Sequence, residues 1–308
     1  MARFLIRNLR YGDIPELINL PRSEGREMGL DPEIRTWFDV DPRGIFVAEN
    51  TDDGQIAGCC CGIALSENHG YIGMYVVKQQ HRGIGLGRIL WDSAIARLGN
   101  RNISLSTADK MLPFYKEKAG FVLNAEWTVD LYSTLTPIMP HDSATCSDPA
   151  PLAVMIDPEG PLVQYIIRYD SSIHQYDRTS IVQSTIKEEG TLTLMALRRF
   201  SDGRFETTGY ACIKRSMQGH WLIAPVYADD YETAYSLVYG LMNSLSETQR
   251  QEGIVTKLIS SNSEASQLFS KFGLRRSQYR LHRLFTKEVF KIPEGKVFAL
   301  QSSVFCTE

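Results

Sequence analysis

The apolar positions fall into short, separated runs whose period changes along the chain. Phe4-Leu5-Ile6-Arg7 reads as a first strand. Asp13-Ile14-Pro15-Glu16-Leu17 reads as a helix start, with proline in the first turn, where its missing N–H costs nothing. Gly44 to Glu49 and Gln55 to Leu65 are strand-like runs joined across Thr51-Asp52-Asp53-Gly54, which predicts a hairpin. Tyr71 to Val77 is a further strand, and Ile89 to Leu98 an amphipathic helix. Ile103 to Ser106 is strand-like again. Leu112 to Phe121 predicts a helix ending at Gly120, which suits a left-handed cap. The order is β-α-β-β-β-α-β-α-β.

A similar order returns further on. Thr191 to Leu197 and Thr207 to Ile213 predict strands joined by Ser201-Asp202-Gly203, and Trp221 to Val226 follows as another. Asp229 and Glu232 form a capping pair ahead of an apolar stripe, Ala234, Leu237, Val238, Leu241, Met242 and Leu245. Ile254 to Ile259 is a strand, Asn262 to Gly273 a helix, and Leu281 to Phe285 a strand. Between the halves, Thr134 to Gly160 carries Pro137, Pro140, Pro149, Pro151 and Pro158 among Ser, Thr and Asp. It reads as a linker or crossing strap.

One segment carries candidate chemistry: Gln80-His81-Arg82-Gly83-Ile84-Gly85-Leu86-Gly87-Arg88, between the Tyr71 strand and the Ile89 helix. Glycines let a ligand approach the backbone. The first-turn N–H groups of a helix lack internal partners, and the dipole there favours negative charge. Arg82 and Arg88 add positive charge. The segment suits a phosphate or pyrophosphate. A Walker A loop would need Lys-Ser or Lys-Thr after its glycines, and neither is present. A dinucleotide loop would be G-x-G-x-x-G after a first strand, whereas these glycines stand at 83, 85 and 87 after a later one.

The run resembles the acyl-CoA pyrophosphate loop of the GNAT N-acyltransferase superfamily, Q/R-x-x-R-G-x-G/A. Gln79 or Gln80, Arg82, Gly83 and Gly85 supply it. Phe114-Tyr115 with Gly120-Phe121 resembles the superfamily's L-Y-E-K-L-G-F, and Asn262 to Leu274 resembles N-x-x-x-x-x-L-Y-x-x-x-G-F. The resemblance implies an α/β (α+β) chain of two tandem GNAT-type domains, each a mixed, mostly antiparallel twisted sheet flanked by helices. Residues 1–135 would be the acyl-CoA-binding catalytic domain, 136–160 a proline-rich linker, and 161–308 a divergent domain for substrate recognition or structure.

It further implies an N-acetyltransferase that moves acetyl from acetyl-CoA to a primary amine by direct attack in a ternary complex. Tyr75, Val76 and Val77 would offer a free strand edge to pantetheine, and an N–H near Val77 would polarise the thioester carbonyl. Arg82, Gly83, Ile84, Gly85, Leu86, Gly87 and Arg88 would hold the pyrophosphate, and Tyr115 would be the general acid. Tyr115 lies five residues before Gly120, where the superfamily has four. On a continuous helix this turns the side chain by about 100°; a wider C-terminal turn would absorb it. Thr107-Ala108-Asp109-Lys110 stands where the superfamily often has Asn.

The acceptor amine needs a base, for which Glu67, His69, Asp109 and His174 are candidates on the acceptor side. The cluster Tyr169 to Arg178 lines an acceptor pocket or forms a domain-interface network. In the second half Tyr227-Ala228-Asp229-Asp230 stands where the glycine loop would be, and its carboxylates would repel a pyrophosphate. Phe269 replaces the acid tyrosine. The alternative is an acyl-CoA-binding sensor or scaffold without turnover.

Composition narrows the partners. Over 308 residues the net charge is −3 and no long Lys/Arg run occurs, which disfavours nucleic acid. No apolar run approaches the ~18 residues of a membrane span, and Met1-Ala2-Arg3-Phe4-Leu5-Ile6-Arg7 is too short and charged for a signal peptide. The expectation is a cytoplasmic monomer or homodimer. Cys59, Cys60 and Cys61 alternate faces of a strand and cannot jointly grip one metal. With Cys146, Cys212 and Cys306 they read as reduced thiols, and the six histidines show no zinc spacing. No metal is expected.

Overall fold

The computed structural model describes residues 3–140, 151–174, 176–199 and 201–302. Met1, Ala2, Cys146, Pro149, Gln175 and Cys306, named above, lie outside the described residues. The first half comprises β1 (Phe4–Asn8), α1 (Ile14–Leu17), α2 (Asn19–Ser23), α3 (Asp31–Val40), β2 (Ile45–Asn50), β3 (Ile56–Ala64), β4 (His69–Val77), α4 (Leu86–Leu98), β5 (Asn102–Thr107), α5 (Leu112–Lys118) and β6 (Leu123–Thr134). The second comprises β7 (Leu152–Met155), α6 (Val163–Ile173), α7 (Thr179–Lys187), β8 (Leu192–Arg199), β9 (Phe205–Arg215), β10 (Trp221–Ala228), α8 (Tyr231–Ser244), α9 (Glu247–Arg250), β11 (Ile254–Ile259), α10 (Ser263–Lys271), β12 (Arg275–Phe285) and β13 (Val297–Ala299).

Local chemistry accounts for several boundaries. Prolines open α1 and α3. Helix α4 buries Leu86, Leu90, Ala94 and Leu98, one side chain per turn. Gly62 of β3 lets it lie close, since a Cβ there would come 2.8 Å from the Ala94 carbonyl oxygen. The cap of α8 is Asp230, one residue later than the spacing predicts: its carboxylate accepts from the Thr233 amide at 2.9 Å. Asp229 instead accepts from the Tyr169 hydroxyl at 3.0 Å and pairs with Lys296 at 2.9 Å. Strand β7 falls inside the proline-rich stretch. Pro151 and Pro158 flank it, and among the described residues it pairs only with β8, as an edge strand can.

The described strands form one continuous sheet, in the order β1-β2-β3-β4-β5-β12-β6-β11-β10-β9-β8-β7, with β13 beside β10. β12, from the second half, lies between β5 and β6 of the first and is antiparallel to both, from His282↔Thr107 to Phe285↔Ser104 on one side. β6, in turn, pairs with β11 from Ile254↔Thr134 to Ile259↔Val129. Each half donates its last long strand to the other.

One face of the sheet carries a core common to both halves. It joins Ile14, Leu17 and Trp37 to Ile166, Ile181 and Tyr210 under α1, α3, α6 and α7. The other face carries two separate cores, one under α4 and α5 and one under α8 and α10. Among the described residues no helix is long and apolar enough to cross a membrane.

Leu284 of β12 is fully buried between Leu105 and Asn124. Leu284→Ala is expected to destabilise the chain by about 2–5 kcal/mol and to lower one common melting transition in calorimetry. Two transitions, with only one displaced, would show that the halves unfold independently.

Candidate active site

The site begins where two parallel strands part. β4 pairs with β5 only from His69↔Asn102 to Ile72↔Leu105. On its other side β4 slips against β3 between Cys61↔Gly73 and Cys59↔Val76, so β4 carries one extra residue there. Met74 absorbs it with φ +43°, a bulge conformation costing roughly 1–3 kcal/mol in a non-glycine residue. The Cys59 thiol donates to the Met74 carbonyl at 3.0 Å. The Lys78 amide bonds back to Ala57 O at 2.8 Å, so by alternation the Val77 amide faces the gap.

The gap opens into a cleft of about 610 Å³. Its walls are Tyr71–Tyr75 of β4, the end of β5 with Ala108, Lys110 and Met111, Tyr115 of α5, and the loop 24–27 after α2. Lys257 of β11 and Ser277, Tyr279 and Leu281 of β12 bring the second half into it.

At one end of the gap the glycine loop leads into α4. Gly83 has φ +81° and Gly85, the N-cap, φ +86°. A Cβ at either position would meet open space, so the need for glycine is conformational. Arg88 and Ile89 bond to Gly85 O, while the amides of 83–87 find no acceptor among the described residues. This cluster of free N–H groups at a helix start fits a pyrophosphate. Gly87 serves differently: a Cβ there would lie 2.5 Å from the Tyr75 hydroxyl, which packs over the helix start. Arg82 ties the region together, donating to Val77 O at 2.8 Å and to Glu24 at 2.5 Å. Exposed Arg88 shares its charge with Asp92 at 2.8 Å. Ile84 is exposed at the loop tip, Leu86 is buried under it, and the Val76 side chain is buried in the core.

Tyr115 lines the same cleft and is 8% exposed. Its ring packs against Trp91 at 5.5 Å and Phe121 at 6.2 Å. The extra residue before Gly120 is taken up in the turn: the Phe121 amide closes on Tyr115 O at 3.1 Å, spanning six residues. In α10 the equivalent closure, Leu274 to Phe269 O at 3.1 Å, spans five. Burial raises the Tyr115 phenol above its ordinary pKa, so the group keeps its proton.

The four base candidates are scattered. Glu67 and His69 sit at the hairpin that begins β4, and even His69 is eight residues, roughly 26 Å, from Val77 at about 3.3 Å per residue. The His69 ring meets Phe290 at 4.3 Å, and burial lowers its pKa. Asp109 is exposed near the cleft mouth, 2.5 Å from His282 Nε2. His174 is buried beside Arg178 at 3.4 Å and against Tyr227 at 5.2 Å. Burial, and then Arg178, drive its pKa well down. Asp170 accepts from Tyr210 at 2.7 Å and pairs with Arg178 at 3.0 Å. The buried polar groups of this stretch, Tyr169, Asp170, His174 and Arg178, thus point inward, and none of its described residues lines the cleft.

The cleft instead presents residues that the spacing did not single out: Glu24, Arg26, Glu27 and Lys257. Glu27 is held by His220 Nδ1 at 2.8 Å, and Lys257 Nζ donates to the Glu27 carbonyl. Burial pulls the Lys257 pKa down to about 8 against the pull of Glu33 and Glu27. One signal was available: Lys257 is the only charged residue in the apolar run Ile254 to Ile259.

The second half repeats the geometry and closes it. β10 pairs with β11 only from Trp221↔Ile254 to Ile223↔Thr256. Beyond that point β13 pairs with β10 at Val226 and Tyr227, and Leu300 N bonds to Lys257 O of β11 at 2.9 Å. At the start of α8, Asp229, Asp230, Glu232, Glu264 and Glu294 line an open hollow. Phe269 is fully buried. Among the described residues no three His, Cys, Asp or Glu side chains converge as a metal site requires.

A parted strand pair, a glycine turn and a helix start together define an acyltransferase-type fold. Residues 13–121 match the acetyltransferase (GNAT) family model, and residues 166–299 match a second acetyltransferase (GNAT) domain model. The chain belongs to the GNAT acetyltransferase family. It is similar in structure to a Pyrococcus horikoshii protein described as a candidate acetyltransferase, at TM-score 0.73 and 15% identity, covering 98% of this chain and 95% of that one. It is also similar to the tandem GNAT protein of the clavulanic acid biosynthesis pathway, at TM-score 0.63 and 11% identity, with 92% and 98% covered. A GCN5-related N-acetyltransferase from Sphaerobacter thermophilus gives TM-score 0.58 and 16% identity, with 94% and 98% covered. At these identities the likeness is one of fold. No curated protein sequence matches the chain.

The thiols beneath the bulge are shielded. Burial pushes Cys59 and Cys212 up to about 12 and raises Cys60 and Cys61 well above the ordinary thiol value. At pH 8 all four are expected to stay protonated and to react with a thiol reagent only after unfolding. Fast labelling of residues 59–61 in the native protein, located by peptide mass, would contradict this burial.

Proposed function

We propose that the chain is an acyl-CoA-dependent N-acetyltransferase that uses acetyl-CoA, with one working site, in its first half. The observation that carries the reading is the contrast between the gaps: the β4–β5 gap opens beside free loop amides and Tyr115, while β13 fills the β10–β11 gap. In this reading residues 1–135 hold the donor, 136–160 link the halves, and 161–308 contribute the acceptor wall through Lys257 and β12.

The thioester supplies an activated acyl carbon. The Val77 amide and the free edge of β4 align it as an added strand would, and the loop amides of 83–87 with Arg82 and Arg88 hold the pyrophosphate. Glu27, backed by His220, takes one proton from the acceptor ammonium and passes it towards solvent, and the amine lone pair so freed forms the C–N bond to the acyl carbon. The Val77 N–H stabilises negative charge developing on the carbonyl oxygen. As the C–S bond breaks, Tyr115, kept neutral by burial, gives its proton to the departing thiolate and is restored by the second proton leaving the nitrogen. Because its pKa is raised, loss of the Tyr115 proton produces no alkaline fall in rate below the ordinary tyrosine range.

Calorimetry is expected to return one acetyl-CoA site per chain, and Gly85→Glu to abolish it in a folded protein by placing a carboxylate where the pyrophosphate lies. Two sites, or undiminished affinity in that variant, would remove the loop from the reading. Tyr115→Phe and Glu27→Gln are each expected to lower kcat by roughly 10²-fold with little change in KM for acetyl-CoA. Unchanged kcat under chemistry-limited conditions would dismiss the residue concerned. Tight acetyl-CoA binding without thiol release onto any amine would make the chain a sensor.

A further inference from the structure

We propose that the acceptor amine also carries a carboxylate, as a free amino acid does, and that Arg26 and Lys257 hold that carboxylate. The inference rests on the acyl-transfer reading above and specifies its acceptor.

Arg26 lines the cleft from the loop between α2 and α3. Among the described residues its guanidinium meets no hydrogen-bond acceptor and no carboxylate, and its Nε is buried without a partner. Arg26 as a whole is half-buried; a buried guanidinium N–H without an acceptor is costly, and the planar fork matches a carboxylate in two parallel bonds. Lys257 enters the same cleft from β11 and is 4% exposed. Its ammonium reaches only the Glu27 carbonyl, with no carboxylate at ion-pair distance among the described residues. Burial above all, with a smaller contribution from Arg26, disfavours the charge on Lys257, and an anion bound between the two side chains offsets both effects.

The remaining lining narrows the class. The cleft's own carboxylates are engaged elsewhere, Glu24 with Arg82 at 2.5 Å and Glu27 with His220 at 2.8 Å. Both line the same cleft as Arg26 and Lys257, so an ammonium bound there meets negative charge. A zwitterion matches both signs. A phosphate dianion would face two neighbouring carboxylates. Ser106 Oγ, buried without a partner on β5, offers one more donor. Ile72, Met74, Leu105, Leu131 and Leu281 supply apolar wall for a side chain.

The test compares acetyl transfer onto matched pairs: L-phenylalanine against phenethylamine, L-leucine against isoamylamine, L-lysine against cadaverine. CoA thiol release gives kcat/KM for each. In the native protein the carboxylate-bearing member is expected to be preferred by at least about tenfold, the worth of a charged hydrogen bond. Arg26→Met should bring that ratio near one, Arg26→Lys should retain part of it, and Lys257→Met should lower it. A ratio at or below one in the native protein, or a ratio unchanged in folded Arg26→Met, overturns the proposal while leaving acyl transfer in place. Thiol release onto other amines but onto neither member of any pair overturns this proposal alone, whereas bound acetyl-CoA with no thiol released onto any amine overturns both readings, and so the two failures are separated.

Discussion

The placement of β12 between β5 and β6 is the constraint on which the rest depends. Antiparallel ladders on both its sides mean that neither half closes its own sheet. Exchange leaves no strand edge exposed at the middle, where an unpaired edge would recruit other chains. It also brings a buried cation into the first half: Arg283 of β12 lies over Tyr71 at 5.0 Å and Phe285 at 5.1 Å. Tyr71 is on β4, the strand that splays to form the cleft. The wall facing Tyr115 is therefore built by residues more than a hundred positions away in sequence.

A second tie runs through the shared core. Lys214 of β9 lies 2.6 Å from Glu188, just past α7, and 3.2 Å from Glu33 of α3. Thr36 donates to Glu188 at 2.8 Å, and Ser302 to Glu33 at 2.7 Å. Burial works against the charge on Lys214, but Glu188 and then Glu33 outweigh it and keep the ammonium. Such a group adds little net stability over an apolar replacement, yet losing one member strands the others in a dry interior. Its effect is directional: it fixes α3 of one half against α7 and β9 of the other. The loop carrying Arg26 and Glu27 lies between α2 and α3, so its position over the cleft follows from the same anchor.

Much of this was legible in sequence because it is local. Period-two and amphipathic runs located most elements, and the glycines at 83 and 85 marked the turn because only a positive φ fits there. Which strand pairs with which was not legible, because β12 carries the same alternating signal whether it pairs at home or across the halves. The cleft residues were hidden for the same reason. Glu24 to Glu27 look like an ordinary polar loop until α3 sets them over Tyr75. His174 failed as a cleft group in the opposite way. Its polar surroundings in sequence, Asp170 and Arg178, fold inward and satisfy one another. The capping shift from Asp229 to Asp230 is smaller in kind: both carboxylates precede the helix, and only the extended backbone of Asp230 aims its oxygen at the Thr233 amide.

The two halves also show what separates an open gap from a structural seam. Both gaps arise where parallel strands diverge after a few paired residues, and both leave backbone groups on the inner edge of the longer strand. Those groups must bond to something. In the second half β13 provides the partner, Phe298 is fully buried, and Leu300 stitches the far side to β11. In the first half no described strand enters, and the edge faces the cleft. The carboxylates at the start of α8 and the glycines at the start of α4 follow the same division. A helix start beside a closed seam has no anion to hold and can carry acid, as Asp230 does in capping α8. A helix start beside an open gap keeps its amides free. The acidic residues of the second half are thus consistent with the seam beside them, and Phe269, fully buried in the core under α8 and α10, stands where the first half has Tyr115.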